Sequence, residues 1–99
     1  MLNQTIMVGR LLDEPIIEEI DNKKQTIITL SVSRNFKNEQ DEYEFDNIPV
    51  VLWNGIAENT KKYCHKGDVI GAKGRLQIID EKLYVIAEKI TFLSSKKED

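Results

Sequence analysis

Three observations predict an all-β fold class for this chain: a five-stranded barrel carrying one short α-helix between its third and fourth strands. Most of the sequence runs in apolar stretches of period two, as half-buried strands require. One of these runs, Ile48 to Trp53, ends in the only tryptophan and is broken at once by Asn54-Gly55. The next segment has helical spacing, and Lys66-Gly67 then opens another strand-like run.

The first strand is read over residues 3–11. Ile6 and Val8 share one face with Leu2, Thr5 and Met7 take the other, and Gly9 marks a kink. Beyond Asp13-Glu14-Pro15, residues 16–20 continue that strand, and residues 21–24 supply a turn. The second strand covers residues 26–36, with Ile28, Leu30 and Val32 at period two. Residues 37–44 are polar and acidic and read as a flexible loop. The third strand, residues 45–53, alternates Ile48, Val50 and Leu52 toward a core with Phe45, Asn47, Pro49, Val51 and Trp53 on the other side.

Ile56, Ala57, Thr60, Tyr63 and Cys64 then mark one face of a helix of two or three turns, which Gly67 is placed to end. Residues 69–79 and 83–93 are the last two strands, joined by a tight turn at Asp80-Glu81-Lys82. Residues 94–99 have no apolar anchor and read as a disordered tail, which leaves one domain over residues 1–93. Strands in this order, with the helix after the third, are those of the OB-fold barrel.

The 99 residues suffice for one core and leave little room for a second domain or an enclosed catalytic cleft. No apolar run approaches the roughly 20 residues that span a bilayer. The first residues lack a basic segment and an uninterrupted apolar one, so a cytoplasmic protein is expected. Cys64 is the single cysteine, which excludes an internal disulfide and a multi-cysteine zinc site. The net charge of −3 argues against holding nucleic acid by bulk charge alone, but the charges are segregated. Residues 11–21 carry five acids and no base, whereas residues 61–75 hold Lys61, Lys62, Lys66, Lys73 and Arg75 against Asp68.

The residues that could carry function are aromatic and cationic. With Ile48, Val50 and Leu52 filling the barrel, Phe45 and Trp53 fall outside it on one face, where a nucleic-acid base could stack on either ring. Packing of Trp53 against the helix or a subunit is the competing reading. Arg34-Asn35-Phe36-Lys37 interleaves an aromatic with cations, a pattern suited to stacking plus phosphate contact, although the ring could instead fold onto the sheet edge. Tyr84 divides evenly between core and ligand. Lys73-Gly74-Arg75 allows either close approach of a phosphate or a simple barrel bend. Lys61 and Lys62 read as a solvated face.

Catalysis has little support. His65 adjoins Cys64, but helical neighbours point about 100° apart and make a poor nucleophile–base pair. The carboxylates of Glu39, Asp41, Glu42, Glu44 and Asp46 lack the glycine-pivoted spacing of a calcium loop, and no phosphate-binding glycine motif occurs. No cofactor or metal is expected, and the chain reads as a binding protein rather than an enzyme.

In order and spacing these residues resemble the bacterial single-stranded-DNA-binding protein family from Asn3 to about Leu93. Asn3-Gln-Thr-Ile-Met-Val-Gly-Arg-Leu11 is similar to the family's opening strand, Asp13-Glu-Pro15 to its acidic-proline turn, and Ile28-Thr-Leu-Ser-Val32 to its second strand. Val50-Val-Leu-Trp-Asn-Gly-Ile-Ala-Glu58, Tyr63 through Gly67 and Lys73-Gly-Arg-Leu76 follow without a gap. The resemblance implies a barrel, usually a homotetramer, that coats single-stranded DNA in replication, repair or recombination. It places Phe36, Trp53 and Lys66 at family DNA-binding positions, and Thr29 at a DNA-facing one.

Asn47 stands where the family often has another aromatic, so Phe45 two residues earlier is taken as its replacement. The last hairpin is short, and residues 94–99 lack the acidic tail through which the family recruits partners, so tail-mediated recruitment is not expected. The contacts expected are stacking on Trp53, Phe36 and Phe45, with Arg10, Arg34, Lys37, Lys66, Lys73 and Arg75 near phosphates. A dimeric primosome-like adaptor, burying the same aromatics against protein, is the alternative.

Overall fold

The computed structural model describes residues 1–95; of the tail expected over residues 94–99, Ser94 instead ends the last strand and residues 96–99 lie outside the described residues. Its elements are β1 (Thr5–Leu11), β2 (Ile16–Ile20), β3 (Lys23–Lys37), β4 (Tyr43–Leu52), α1 (Asn54–Tyr63), β5 (Val69–Ile79) and β6 (Lys82–Ser94). β1 pairs antiparallel with both β5 and β3, β5 with β6, and β3 with β4. β4 and β6 then close the ring as parallel neighbours, Val50 beside Val85 and Val51 beside Ile86. Five strands thus form the expected barrel, and β2 lies outside the ring on β3.

Residues 16–20 do run on along β3 after β1, Leu11 facing Leu30 and Ile16 facing Ile27, but as a separate strand. Of the four residues between them, Leu12 still donates its N–H to the Thr29 carbonyl at 2.8 Å, and the next three leave the ladder. Pro15 has no N–H to give it, and the Glu14 N–H turns back to the Asp13 carboxylate at 2.9 Å.

The Ile20–Lys23 and Ile79–Lys82 pairs each enclose two residues, Asp21-Asn22 and Asp80-Glu81. All four have positive φ, between 50° and 68°, the conformation that matches strand twist in a two-residue hairpin. Both turns are shorter than expected. The acidic connection between β3 and β4 is likewise tighter than a flexible loop: the Asn38 side chain accepts the Gln40 and Glu42 N–H groups at 2.9 and 3.0 Å.

Leu11, Ile28, Leu30, Val50, Leu52, Ile70, Ala72, Val85 and Ala87 fill the barrel, and α1 closes one side of it with Ala57 and Cys64. Tyr63, expected on the packed face of α1, is 60% exposed. The packed positions are Ala57, Thr60 and Cys64, and Tyr63 is rotated off their line. Gly67 does not end the helix. α1 stops at Tyr63, and Gly67, at φ 93°, turns the chain into β5 while its N–H donates to the Leu11 carbonyl at 2.8 Å.

A second apolar cluster of Ile20, Ile27, Val51, Tyr84 and Ile86 packs on the outside of the barrel. Val51 was expected on the exposed face with Phe45 and Trp53. It is on that face, but Ile20, Ile27, Tyr84 and Ile86 pack around it and bury it there. Among the described residues, no helix is long and apolar enough to cross a membrane.

Candidate nucleic-acid interface

The β3–β4 ladder sets the outer face. Ile27 lies opposite Val51, Thr29 opposite Pro49, Ser31 opposite Asn47 and Ser33 opposite Phe45, and Arg10 of β1 flanks Ser31 from the other side. Side chains alternate along each strand, so Arg10, Thr29, Phe45 and Val51 project from one surface. Trp53 continues it. Its backbone is still extended at φ −108°, ψ 149°, yet its carbonyl already accepts the Ala57 N–H of α1 at 2.8 Å. The ring is thereby held at a strand–helix junction and points away from the core.

Of the rings that remain outside both clusters, Phe36 is 67% exposed, Phe45 60% and Trp53 51%. Each lies in a groove that also holds a cation. Trp53 shares its groove with Arg75, whose guanidinium carbon is 5.9 Å from the ring centroid, over a floor that includes Ile20, Val51 and Ile86. Phe45 lies with Arg10 and Lys66 in an open groove of about 750 Å³ that Ser94 and Ser95 border. Phe36 and Arg34 line a third groove against Ile6, Val8 and Val32.

Neutral oxygens hold two of these arginines. The Arg10 Nη1 donates to the Gly67 carbonyl at 2.8 Å, and the Arg75 Nη2 donates to the Gln77 side-chain oxygen at 3.2 Å, with Glu88 further off at 3.9 Å. The loop that carries Lys66 is pinned by Glu14, whose carboxylate accepts the Lys66 backbone N–H at 2.6 Å and contacts His65 Nδ1 at 3.3 Å. The Lys66 amide, and after it the His65 bond, hold the Glu14 carboxyl below its ordinary range. Lys66 itself keeps an exposed side chain.

Arg34 differs. Its Nε and Nη2 bind the two oxygens of Asp46 at 3.0 and 2.9 Å, and its Nη1 binds Glu44 at 2.8 Å. The Asp46 bonds raise the Arg34 pKa, and Arg34 lowers that of Asp46. Lys37 also meets a carboxylate, Asp41 at 3.5 Å, and lies 5.7 Å from the centre of the Tyr43 ring. Tyr43 was missed in the sequence, although it alternates onto the face of Phe45 and is half exposed.

The remaining candidates divide. Thr29 is half-buried on the outer face beside Pro49. Lys73 is exposed but faces Ile6 on one side and Lys89 on the other, outside the three grooves. Tyr84 is 8% exposed within the outer cluster, where its ring mainly supports the sheet. Gly74 belongs to the barrel bend: a Cβ there would lie 2.1 Å from the Ile86 carbonyl oxygen, so β6 already fills the space a phosphate would need. Cys64 is buried, which raises its thiol pKa and fits a packing role.

Among the described residues no group of three or more His, Cys, Asp or Glu side chains is arranged to hold a metal ion. The surface can stack flat rings and receive phosphates.

Comparison with known proteins gives a consistent result. The model of the single-strand binding protein family matches residues 2–92. Single-stranded DNA-binding protein 1 of Clostridium acetobutylicum is 34% identical over 108 residues, covering 98% of each chain. Single-stranded DNA-binding protein B of Bacillus subtilis is 41% identical over 78 residues, covering 78% of this chain and 69% of that protein. Among solved structures, the Plasmodium falciparum SSB complex with single-stranded DNA has the same fold, with a TM-score of 0.74 at 20% identity over 95% of this chain and 96% of that one.

Proposed function

This chain belongs to the single-strand binding protein family, and from that premise we propose that it coats single-stranded DNA with little sequence preference. The observation that carries the mechanism is the set of three exposed rings, each sharing a groove with a cation. A base can stack on Trp53, Phe45 or Phe36 whatever its identity, each stack contributing about 1 to 3 kcal/mol. Arg10, Lys66 and Arg75 receive phosphates between the rings, and Thr29 offers a hydroxyl on the same face. Tyr84 leaves the set of ligand contacts because it is buried, and Lys73 lies beside the path. The protein binds and protects the strand, and bond cleavage has no part in this reading.

We place the protein in the cytoplasm, in replication, recombination or repair, and as a homotetramer. Leu76, Ile78 and Leu83 of the β5–β6 hairpin are exposed apolar residues outside the three grooves and support subunit contact there. Sedimentation equilibrium checks the assembly, and a monomer at micromolar concentration would refute it.

Trp53 provides the test of binding. Its fluorescence is titrated with oligothymidine at low and high salt, against a duplex control. Salt-sensitive quenching by the single strand alone is the expected result, and absence of any response to either ligand would overturn the assignment of Trp53.

A further inference from the structure

The three ring-and-cation grooves differ in one respect. Arg10 and Arg75 give their closest bonds to neutral oxygens, whereas Arg34 is occupied by two carboxylates of the neighbouring strand. Its contact with Asp46 is the two-pronged fork that a guanidinium also makes with phosphate, and Glu44 takes a further donor. β3 carries two more residues than β4 between the Ser33–Phe45 and Lys37–Tyr43 pairs, and Arg34 lies in that irregular stretch. All three side chains are exposed, at 41% for Arg34, 52% for Glu44 and 47% for Asp46. With all three side chains open to solvent, a phosphate can exchange for the carboxylates of this fork without unpacking either core.

We propose that Glu44 and Asp46 are internal phosphate surrogates: they occupy Arg34 in the free protein, and a single strand reaching the Phe36 groove must displace them before its phosphate can take the guanidinium. The pair thereby sets affinity at the outermost ring. It favours partial engagement through Phe45 and Trp53, where Arg10 bonds a neutral oxygen and Arg75 meets only the more distant Glu88 at 3.9 Å, over engagement of all three rings. This inference rests on the single-stranded-DNA reading. It adds that the acidic hairpin acts against binding, although it lies beside a stacking ring.

The test is a double-mutant cycle, titrating the protein with oligothymidine over a range of salt concentrations. Asp46→Asn and Glu44→Gln keep side-chain shape and remove charge. The Glu44→Gln/Asp46→Asn variant is expected to bind about threefold to tenfold more tightly at low salt, with a salt slope steeper by about 0.7 for the one additional phosphate neutralised. In an Arg34→Met background the same two changes are expected to have little effect. Glu44→Gln alone, which leaves the fork to Asp46 in place, gives a smaller gain and a second reading should the double variant fold poorly.

Equal tightening with and without Arg34 would reduce the effect to general loss of negative charge and overturn the proposal. Unchanged or weaker binding would overturn it as well, since weaker binding would mean that the acids position Arg34 for DNA. If the unmodified protein binds oligothymidine and only the cycle fails, the surrogate role alone falls. If it does not bind at all, the single-stranded-DNA reading falls and takes this inference with it.

Discussion

Replacing Gly74 with alanine tests the closure of the barrel and its bearing on the interface. At this position β5 runs so close to β6 that an added Cβ would lie 2.1 Å from the Ile86 carbonyl oxygen and 2.9 Å from its carbon. Ordinary contact begins near 3.4 Å, so the strands would have to separate by more than an ångström. Both atoms met are backbone, so no side-chain rotation can relieve the clash. Ile86 anchors the outer cluster, while Val85 and Ala87 on either side of it fill the barrel, and displacement of this segment disturbs both cores.

Overpacking of this kind costs about 1 to 3 kcal/mol, and the backbone contact places Gly74→Ala at the upper end, near 3 kcal/mol. With a urea m-value of about 1 to 3 kcal/mol per molar, the midpoint falls by roughly 1 to 3 M, as read by Trp53 fluorescence. Gly55→Ala is the internal control. It lies in α1 with nothing within 4 Å of its added Cβ, and should gain up to about 1 kcal/mol from helix propensity. A Gly74→Ala protein of unchanged stability that had lost DNA affinity would refute the structural account and restore the phosphate-approach reading of Lys73-Gly74-Arg75.

Trp53→Ala together with Phe36→Ala should weaken oligothymidine binding by at least about 2 kcal/mol in total, with an unchanged circular dichroism spectrum; unaltered affinity would remove both rings from the site. Glu81 occupies a left-handed position at φ 68° with no glycine to ease it, so Glu81→Gly should raise the thermal midpoint by an amount corresponding to roughly 1 kcal/mol, and a lower midpoint would contradict the turn assignment. Asp46 and Glu14 are both held below their ordinary carboxyl values in the folded chain, by Arg34 and by the Lys66 amide. Their contribution to stability is therefore full above the unfolded-state range near about pH 4 and is lost as pH falls through the lower folded values. Thermal melts from pH 7 to 3 should show this acid-side decline, and Asp46→Asn should make it shallower.

The fold was legible because strand periodicity is a local property. Period-two runs located five strands, Asn54-Gly55 located the break before α1, and alternation in β4 put Ile48, Val50 and Leu52 on one side and Phe45 and Trp53 on the other. Turn lengths were less legible. Lys23 and Lys24 look like turn residues, yet they pair with Ile20 and Glu19 because β2 brings them a partner. The opening and middle motifs carried the family resemblance for the same local reason, as they are contiguous stretches of chain.

What surrounds each candidate side chain was decided only by tertiary structure. Tyr84 and Val51 alternate correctly for an exposed face, but Ile20 and Ile27 of other strands, together with Ile86, pack with them and make a second core outside the barrel. Arg34 reads as a free cation within Arg34-Asn35-Phe36-Lys37, and register places it against Asp46, 12 residues away. Arg10 meets the Gly67 carbonyl across 57 residues of chain. A residue's direction follows from the backbone geometry of its neighbours in sequence, so it can be read along the chain. Its burial and its charge partners depend on which distant strand lies beside it, and barrel closure sets that.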